Sequence, residues 1–205
     1  MFNDRRDAGA QLADRLGDLL KDDPVLLAIP RGGVVVAYEV AKRHSVPMDV
    51  IVIRKIGHPG NEEYAIGAVS ATSTFIHSVH SRGIPQEYID RQIVARQREA
   101  QERYRELRGE KPPLDLRGKT AILVDDGVAT GSTMIMAIMV VRSMGPKRVA
   151  VAVPVAPPDS VRQLEEVADE VVCLLQPAGF MAIGQFYRDF QQVSTQEARR
   201  LLEEL

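Results

Sequence analysis

One stretch near the middle of the chain, residues 120–133 (TAILVDDGVATGST), most constrains the fold. Its residues 121–124 are apolar without alternation, which is typical of a strand that is covered on both faces of a sheet. Asp125 and Asp126 follow where that strand should end, and Thr130 to Thr133 then begin a helix. Open α/β sheets bind ligands at the carboxyl ends of their strands, so we expect a binding site here.

The residue types in this stretch indicate the chemistry of the ligand. The start of a helix offers free backbone N–H groups, hydroxyls and a positive dipole end, which together suit a phosphate group. Two carboxylates would repel a bare phosphate chain, but they can accept hydrogen bonds from sugar hydroxyls or hold a metal. The stretch therefore predicts a phosphorylated sugar as the ligand.

Two other phosphate motifs are excluded. No Gly-x-Gly-x-x-Gly follows any predicted strand, and residues 118–120 resemble a P-loop only in part. The glycine that a P-loop requires five residues earlier is Pro113, and the segment precedes its strand. An ordinary acidic turn is the simpler alternative for Asp125 and Asp126, but the Thr-Gly-Ser-Thr sequence at this offset disfavours it.

The stretch resembles the 5-phosphoribosyl 1-pyrophosphate (PRPP) signature of type I phosphoribosyltransferases, in which two acidic residues precede a small-residue loop and Thr-Gly. In that family the acids bind the ribose hydroxyls and the loop binds the 5-phosphate. The resemblance therefore implies that Asp125 and Asp126 bind the ribose. The residues that it implies for the 5-phosphate are Ala129, Thr130, Gly131, Ser132 and Thr133.

A second informative stretch, Pro30-Arg31-Gly32-Gly33, lies between a predicted strand at residues 25–29 and a helix at 34–44. Glycines let the backbone approach an anion, and an arginine can bind phosphate oxygens in a bidentate manner. The stretch resembles the pyrophosphate loop of the same family, which commonly contains a cis peptide. We therefore predict a cis bond before or after Arg31. A plain turn with a solvent-facing arginine is the alternative.

The basic pair Arg54-Lys55 follows a strand predicted at residues 47–53. It resembles the Arg-Lys pair that precedes a mobile catalytic loop in some family members, notably orotate phosphoribosyltransferases. That resemblance implies that both residues bind pyrophosphate, while a solvated basic pair is the alternative. Residues 57–63 are rich in turn formers, which predicts a mobile loop, and the resemblance implies that this loop closes over the diphosphate.

Composition limits the class of protein. The 205 residues predict a single domain spanning 1–205, 45% of them are hydrophobic, and the net charge of −2 does not favour nucleic-acid binding. Residues 3–7 are polar, which indicates no signal peptide, and no apolar run is long enough for a membrane span. We expect a cytoplasmic enzyme. The single cysteine, Cys173, is interpreted as a buried strand residue.

The order of the predicted elements indicates the fold class. Strands alternate with helices, which predicts an α/β fold with a three-layer, doubly wound and mostly parallel sheet, and the resemblance implies that this sheet is of the phosphoribosyltransferase type. Residues 85–110 form an inserted long helix. Residues 176–205 form a C-terminal tail, which we call the hood. For the inserted helix a solvated surface position is favoured, and a contact within a homodimer is the alternative.

The tail segment Tyr187-Arg188-Asp189-Phe190 is similar to the element that closes the site in purine phosphoribosyltransferases. The resemblance implies that Arg188 binds the diphosphate. Weaker candidates for a base pocket are Leu175, Gln176 and Phe180, and ordinary core packing of the aromatic residues is the alternative.

Taken together, the resemblance implies an enzyme of nucleotide metabolism. It would transfer phosphoribose from PRPP to a nucleobase or similar small-molecule nitrogen nucleophile and release pyrophosphate. The implied cofactor is Mg²⁺, held mainly by PRPP, and the implied catalytic residues are Arg31, Lys55, Asp125 and Asp126. Many purine enzymes have an aspartate where this chain has Ala129, so the acceptor stays open. The alternative function is a PRPP-sensing regulatory protein with little or no catalysis.

Overall fold

The computed structural model describes residues 1–205 and contains two sheets and six α-helices. The strands are β1 (Pro24–Ala28), β2 (Met48–Val50), β3 (Arg54–His58), β4 (Asn61–Val69), β5 (Thr74–Ile76), β6 (Thr120–Val124), β7 (Arg148–Val155) and β8 (Glu170–Leu175). The helices are α1 (Arg5–Arg15), α2 (Gly32–His44), α3 (Gln86–Arg108), α4 (Ser132–Arg142), α5 (Pro158–Glu165) and α6 (Thr195–Glu203).

The main sheet has five parallel strands in the order β2-β1-β6-β7-β8. Its strands are apolar on both faces because each face is covered by helices. Leu26 and Ile122 lie in a core cluster with residues of α1, α2 and α6, while Leu27 and Leu123 lie in a second cluster with residues of α4 and α5. The predicted three-layer α/β fold is confirmed.

The segment between β2 and β5 differs from the prediction. The strand predicted at residues 47–53 is limited to Met48–Val50, and the predicted mobile loop at 57–63 is a β-hairpin. Pro59 and Gly60 form its two-residue turn, and β3 and β4 pair in antiparallel fashion on either side of it. The prediction of a loop was wrong because the turn-forming residues are spread over seven positions, and only two of them form the turn.

The first helix, α1, is short. Asp4 caps it by accepting a 2.8 Å hydrogen bond from the backbone N–H of Asp7, and the α-helix ends at Arg15. Gly17 has a positive φ of 38°, which the α-helix cannot accommodate, and a short 3-10 helix continues to Lys21.

The inserted helix α3, Gln86–Arg108, lies within the predicted range of 85–110 and is fastened to the main sheet by a buried ionic contact. Arg108 Nε lies 3.0 Å from Asp49 Oδ1, and the Asp49 side chain is 1% exposed. The hydroxyl of Tyr104 donates to Asp49, and so does the backbone N–H of Leu114. The structure contains no helix that is long and apolar enough to cross a membrane.

The single cysteine lies on β8, which is the edge strand of the main sheet. The predicted strand position of Cys173 is confirmed, but its predicted burial was wrong, because the residue is only half-buried at this edge. Burial still raises the pKa of its thiol to about 11, so the thiolate is disfavoured near neutral pH.

Candidate active site

The candidate site lies at the carboxyl edge of the main sheet, where the loops after β1 and β6 meet. These two strands are adjacent and parallel, and Ala28 is paired with Val124 at their ends. The backbone N–H of Ile29 donates a 2.8 Å hydrogen bond to the carbonyl oxygen of Val124. Because of this register, the chain after Ile29 and the chain after Val124 leave the sheet side by side.

Two glycines allow the loop after β1 to contact the acidic pair directly. A Cβ atom on Gly32 would overlap the carboxylate of Asp126, and a Cβ on Gly33 would lie 2.5 Å from the carbonyl oxygen of Val124. The peptide bond between Pro30 and Arg31 is cis, which confirms the predicted position. The structure thus brings together two stretches that are about ninety residues apart in the sequence.

The two acids have different surroundings. The backbone N–H of Asp126 donates a 2.8 Å hydrogen bond to Asp125 Oδ1, and Asp126 as a residue is 8% exposed. Burial, and then the neighbouring Asp126 carboxylate, raise the pKa of Asp125 well above its ordinary value. A sugar hydroxyl bound here could therefore meet one carboxyl group that readily carries a proton and a second that accepts hydrogen bonds.

The predicted phosphate loop lies directly after the acids. Ala129, Thr130, Ser132 and Thr133 are exposed, and Gly131 has a positive φ of 79° immediately before α4. No side chain caps the N-terminus of α4, so its first backbone N–H groups are available to an anion.

The predicted pyrophosphate-binding cations Arg31, Arg54 and Lys55 differ in their side-chain partners. Arg31 is half-buried beside the acids, and its side chain makes no hydrogen bond or ion pair within the protein. Arg54 and Lys55 begin β3, where Arg54 Nε lies 3.7 Å from Glu99 and Lys55 Nζ lies 3.0 Å from Glu63. Both of these cations therefore pair with acidic side chains other than Asp125 and Asp126.

The arginine that contacts the acidic pair is not Arg188 of the tail. Arg188 is exposed, and its Nη1 donates a 3.2 Å hydrogen bond to Asn3 Oδ1. The arginine that does contact the signature is Arg5, whose Nε lies 2.6 Å from Asp126 Oδ2. Sequence reasoning missed Arg5 because it is 121 residues away from Asp126 and belongs to no phosphate motif.

The hood packs on the loop that follows the acids. The hydroxyl of Tyr187 donates a 2.6 Å hydrogen bond to the backbone carbonyl oxygen of Asp126. Ile183 covers Gly127 so closely that a Cβ there would lie 2.6 Å from its Cγ2 atom. The rings of Phe180 and Phe186 stack with centroids 5.4 Å apart. Of the predicted base-pocket residues, Leu175 and Phe180 pack in this cluster and Gln176 is exposed.

The donors for a metal at this site would be oxygen atoms. The structure contains no group of three or more His, Cys, Asp or Glu residues that could hold a metal ion. Asp125 and Asp126 supply only carboxylate oxygens, which suit a hard cation such as Mg²⁺. Any Mg²⁺ bound here would need further oxygen ligands from a substrate or from water.

Comparison with known proteins identifies the family. The phosphoribosyl transferase domain family matches residues 6–191. The crystal structure of the protein TT1426 from Thermus thermophilus is 43% identical and has a TM-score of 0.89, with 100% of this chain and 98% of that chain covered. The purine phosphoribosyltransferase of Pyrococcus horikoshii is 19% identical, with a TM-score of 0.51 and 93% of each chain covered, and shares the fold.

Proteins from two strains of Mycobacterium tuberculosis, provisionally named phosphoribosyl transferases, are 43% identical over 210 residues. The alignment covers 99% of this chain but 46% of each relative, so the chain spans about half the length of the curated relatives that it matches. The family match covers most of the chain and includes the acidic pair, the phosphate loop and the glycine loop. The chain belongs to the phosphoribosyl transferase domain family.

Proposed function

We propose that this protein catalyses the Mg²⁺-dependent transfer of phosphoribose from PRPP to a nucleobase or a similar nitrogen nucleophile, with release of pyrophosphate. The observation that carries the proposal is the contact between the glycine loop after β1 and the acidic pair after β6. It puts a candidate diphosphate site, Arg31 to Gly33, against a candidate ribose site, Asp125 and Asp126. The start of α4 follows within a few residues and offers a site for the 5-phosphate.

Each part of PRPP has a chemically suitable partner in this arrangement. Ribose hydroxyls donate hydrogen bonds, and Asp126 has one carboxylate oxygen, Oδ1, that accepts none within the protein. The 5-phosphate would accept hydrogen bonds from the uncapped N–H groups of α4 and from the hydroxyls of Thr130, Ser132 and Thr133. The unpaired guanidinium of Arg31 would bind diphosphate oxygens.

Arg54 and Lys55 are further proposed diphosphate ligands, which would first have to leave their acidic partners Glu99 and Glu63. Arg54 and Lys55 follow the carboxyl end of β2, a strand of the main sheet, by a few residues, which supports a position near the edge where the acids lie. Lys55 on β3 and Glu63 on β4 are joined only by their side chains, and the side chain of Glu63 is 92% exposed. Since exposed ion pairs contribute roughly 0–1 kcal/mol, a diphosphate could displace Glu63 at small cost.

The reaction is a substitution at C1 of the ribose. The bond from C1 to the diphosphate oxygen breaks, its electron pair leaves on the diphosphate, and the acceptor nitrogen forms the new bond to C1 and loses a proton. Positive charge develops on the ribose ring and negative charge on the leaving group, so fixed cations and N–H groups lower the barrier. The roles assigned to Arg31 and Lys55 are stabilisation of the diphosphate, and those of Asp125 and Asp126 are orientation of the ribose.

Mg²⁺ is proposed as the cofactor because the site supplies hard oxygen donors and lacks a complete set of protein ligands. Asp125, Asp126 and the oxygens of PRPP would hold it. When bound, the ion would neutralise charge on the diphosphate.

The acceptor is proposed to bind against the outer side of residues 180–190, next to the loop at Gly127 that Ile183 covers. The stacked pair of Phe180 and Phe186 and the side chain of Ile183 offer an apolar surface to a planar ring. Ala129 is exposed and has no group for proton exchange with a purine, so the proposal extends to pyrimidines and other nitrogen nucleophiles.

The test is pyrophosphate release from PRPP and Mg²⁺ in the presence of a panel of purines, pyrimidines and amines. Turnover with one acceptor class supports the proposal, and its loss in the double variant Asp125→Asn with Asp126→Asn assigns it to this site. Calorimetry of PRPP binding accompanies the assay. The proposal is abandoned if the double variant binds PRPP as tightly as the unmodified protein.

A PRPP-sensing role with little catalysis is the second candidate. It is favoured by Ala129 and by the engagement of Lys55 with Glu63, because both remove groups that catalysis would use. Tight PRPP binding without pyrophosphate release from any member of the panel would support this second role.

A further inference from the structure

Arg5 connects three parts of the chain at the candidate site. Its Nε lies 2.6 Å from Asp126 Oδ2, and its Nη1 donates a 2.8 Å hydrogen bond to the backbone carbonyl oxygen of Gln191. Its guanidinium carbon lies 3.8 Å from the ring centroid of Phe190. These contacts join the first turn of α1, the acidic pair and the end of the hood.

The ion pair is well shielded from solvent. The side chains of Arg5 and Asp126 are 11% and 12% exposed, unlike the neighbouring pair of Arg6 and Glu39, at 43% and 21%. A hydrogen bond to a charged group in such surroundings is stronger than one at the surface. The stacking on Phe190 further restricts the guanidinium, because a planar cation is held over a ring face.

The geometry of the pair leaves part of Asp126 free. Arg5 uses Oδ2, while Oδ1 accepts no hydrogen bond from the protein. The glycine loop limits the rotation of the same carboxylate, because a Cβ on Gly32 would meet both Asp126 and Arg5 Nε, the latter at 3.1 Å. Arg5 and Gly32 together hold Asp126 in one orientation, with one oxygen available to a ligand.

We propose that Arg5 is a positioning residue for the ribose of PRPP: it orients Asp126 and fastens the hood to the acidic pair. This inference deepens the proposed function and rests on it. Two of the three guanidinium nitrogens of Arg5, Nε and Nη1, are engaged with Asp126 and Gln191, so the proposed action of Arg5 is through Asp126. Its removal should weaken ligands that contain ribose and leave the binding of inorganic pyrophosphate unchanged.

The experiment measures, by calorimetry, the dissociation constants of PRPP and ribose 5-phosphate with Mg²⁺ present, and that of inorganic pyrophosphate without Mg²⁺, so that an ion held by Asp126 does not contribute to the pyrophosphate constant. We expect Arg5→Ala to weaken both ribose ligands at least about tenfold, and Arg5→Lys to recover part of that loss. Arg6→Ala is the matched control, because Arg6 follows Arg5 on α1 and pairs with Glu39 away from the acids. We expect no change in any of the three constants with this control.

A double-mutant cycle then distinguishes action through Asp126 from direct binding. In an Asp126→Asn background, Arg5→Ala should cause little further loss of PRPP affinity, because the group that Arg5 positions has already been changed. Thermal unfolding of each variant checks that it is folded. If Arg5→Ala is not folded, Arg5→Lys replaces it in the cycle.

Three outcomes overturn the inference. If Arg5→Ala binds PRPP as tightly as the unmodified protein, Arg5 has no positioning role while the proposed function stands. If pyrophosphate binding falls in parallel with PRPP binding, Arg5 contacts the diphosphate itself. If the unmodified protein binds no PRPP, the proposed function fails, and this inference fails with it.

Discussion

The hydroxyl of Tyr187 donates a 2.6 Å hydrogen bond to the backbone carbonyl oxygen of Asp126, across 61 residues of sequence. Tyr187 is 5% exposed, and burial raises the pKa of its phenol, so the hydroxyl stays protonated as a donor. The N-terminal segment supports the same region, since Phe2 donates from its N–H to the carbonyl of Phe186. The hood is therefore bonded to the acidic pair through Tyr187 and to the N-terminal segment through Phe186.

Replacement of Tyr187 by Phe should reduce stability and PRPP affinity together. The variant leaves a buried carbonyl oxygen of Asp126 without this donor, which costs about 1–3 kcal/mol. Chemical unfolding and calorimetry measure the two effects. Tyr38→Phe is the control, because the hydroxyl of Tyr38 donates to Glu204 and not to the acidic pair. This variant should lose stability while its PRPP affinity stays unchanged. Equal PRPP affinity in both variants would contradict a link between the hood and the ribose site.

Alanine at Gly32 and alanine at Gly33 should have different effects. At Gly32 the new methyl group meets the carboxylate of Asp126, a side chain that can rotate, so we expect a folded protein with much weaker PRPP binding. At Gly33 it meets the backbone of Val124 at 2.5 Å, so we expect a loss of about 1–3 kcal/mol in stability. Gly179→Ala is the control, since nothing lies within 4 Å of its Cβ position. Thermal unfolding and calorimetry on all three variants provide the comparison, and equal effects at Gly32 and Gly179 would refute it.

The raised pKa of Asp125 predicts a definite sign for the pH dependence of stability. The native state binds the Asp125 proton more tightly than the unfolded chain does, because the ordinary pKa of an aspartate is 3.8. The protonated carboxyl group therefore contributes its full stabilisation of the fold below pH 3.8, and this stabilisation is lost as pH rises through the native pKa. Asp125→Asn should therefore be more stable than the unmodified protein at pH 7, with a difference that shrinks toward pH 4. Denaturant unfolding at several pH values measures this.

Asp115 provides the control of opposite sign for that measurement. Hydrogen bonds from the side chain and backbone of Arg117 lower the pKa of Asp115 to about 2. The ionised Asp115 carboxylate stabilises the fold above its unfolded-state pKa, and this stabilisation is lost on acidification. Asp115→Asn should therefore not stabilise the protein at pH 7. Stabilisation by both substitutions would show that the effect does not come from the burial of Asp125.

Removal of Arg108 should destabilise the fold without changing PRPP affinity. The buried carboxylate of Asp49 would lose its nearest cation, which costs about 3 kcal/mol because the donors from Tyr104, Val50 and Leu114 remain. Arg98→Ala on the same helix is the control, since Arg98 is exposed and should cost less than about 0.5 kcal/mol. Denaturant unfolding tests the difference, and a fall in PRPP affinity for Arg108→Ala would show that this contact influences the site.

Local patterns predicted much of the fold and part of the candidate site. The strand at Thr120–Val124, the acids after it and the helix that follows occupy consecutive residues, and so does the loop with the cis bond before Arg31. Periodicity and turn chemistry act over such short distances. The hairpin at β3 and β4 was missed because its strands pair with each other in a small second sheet, outside the alternation of strands and helices.

The sequence by itself determined the fold class, the family resemblance and the proposed donor, because each of these depends on residue types at fixed local spacing. Only the tertiary structure decided which side chains surround Asp126. Arg5 and Tyr187 contact it from opposite ends of the chain, while Arg188 bonds to Asn3 and Lys55 to Glu63. The physical reason is that the register of β1 and β6 and the packing of the two termini bring distant residues together, and no local pattern encodes those distances.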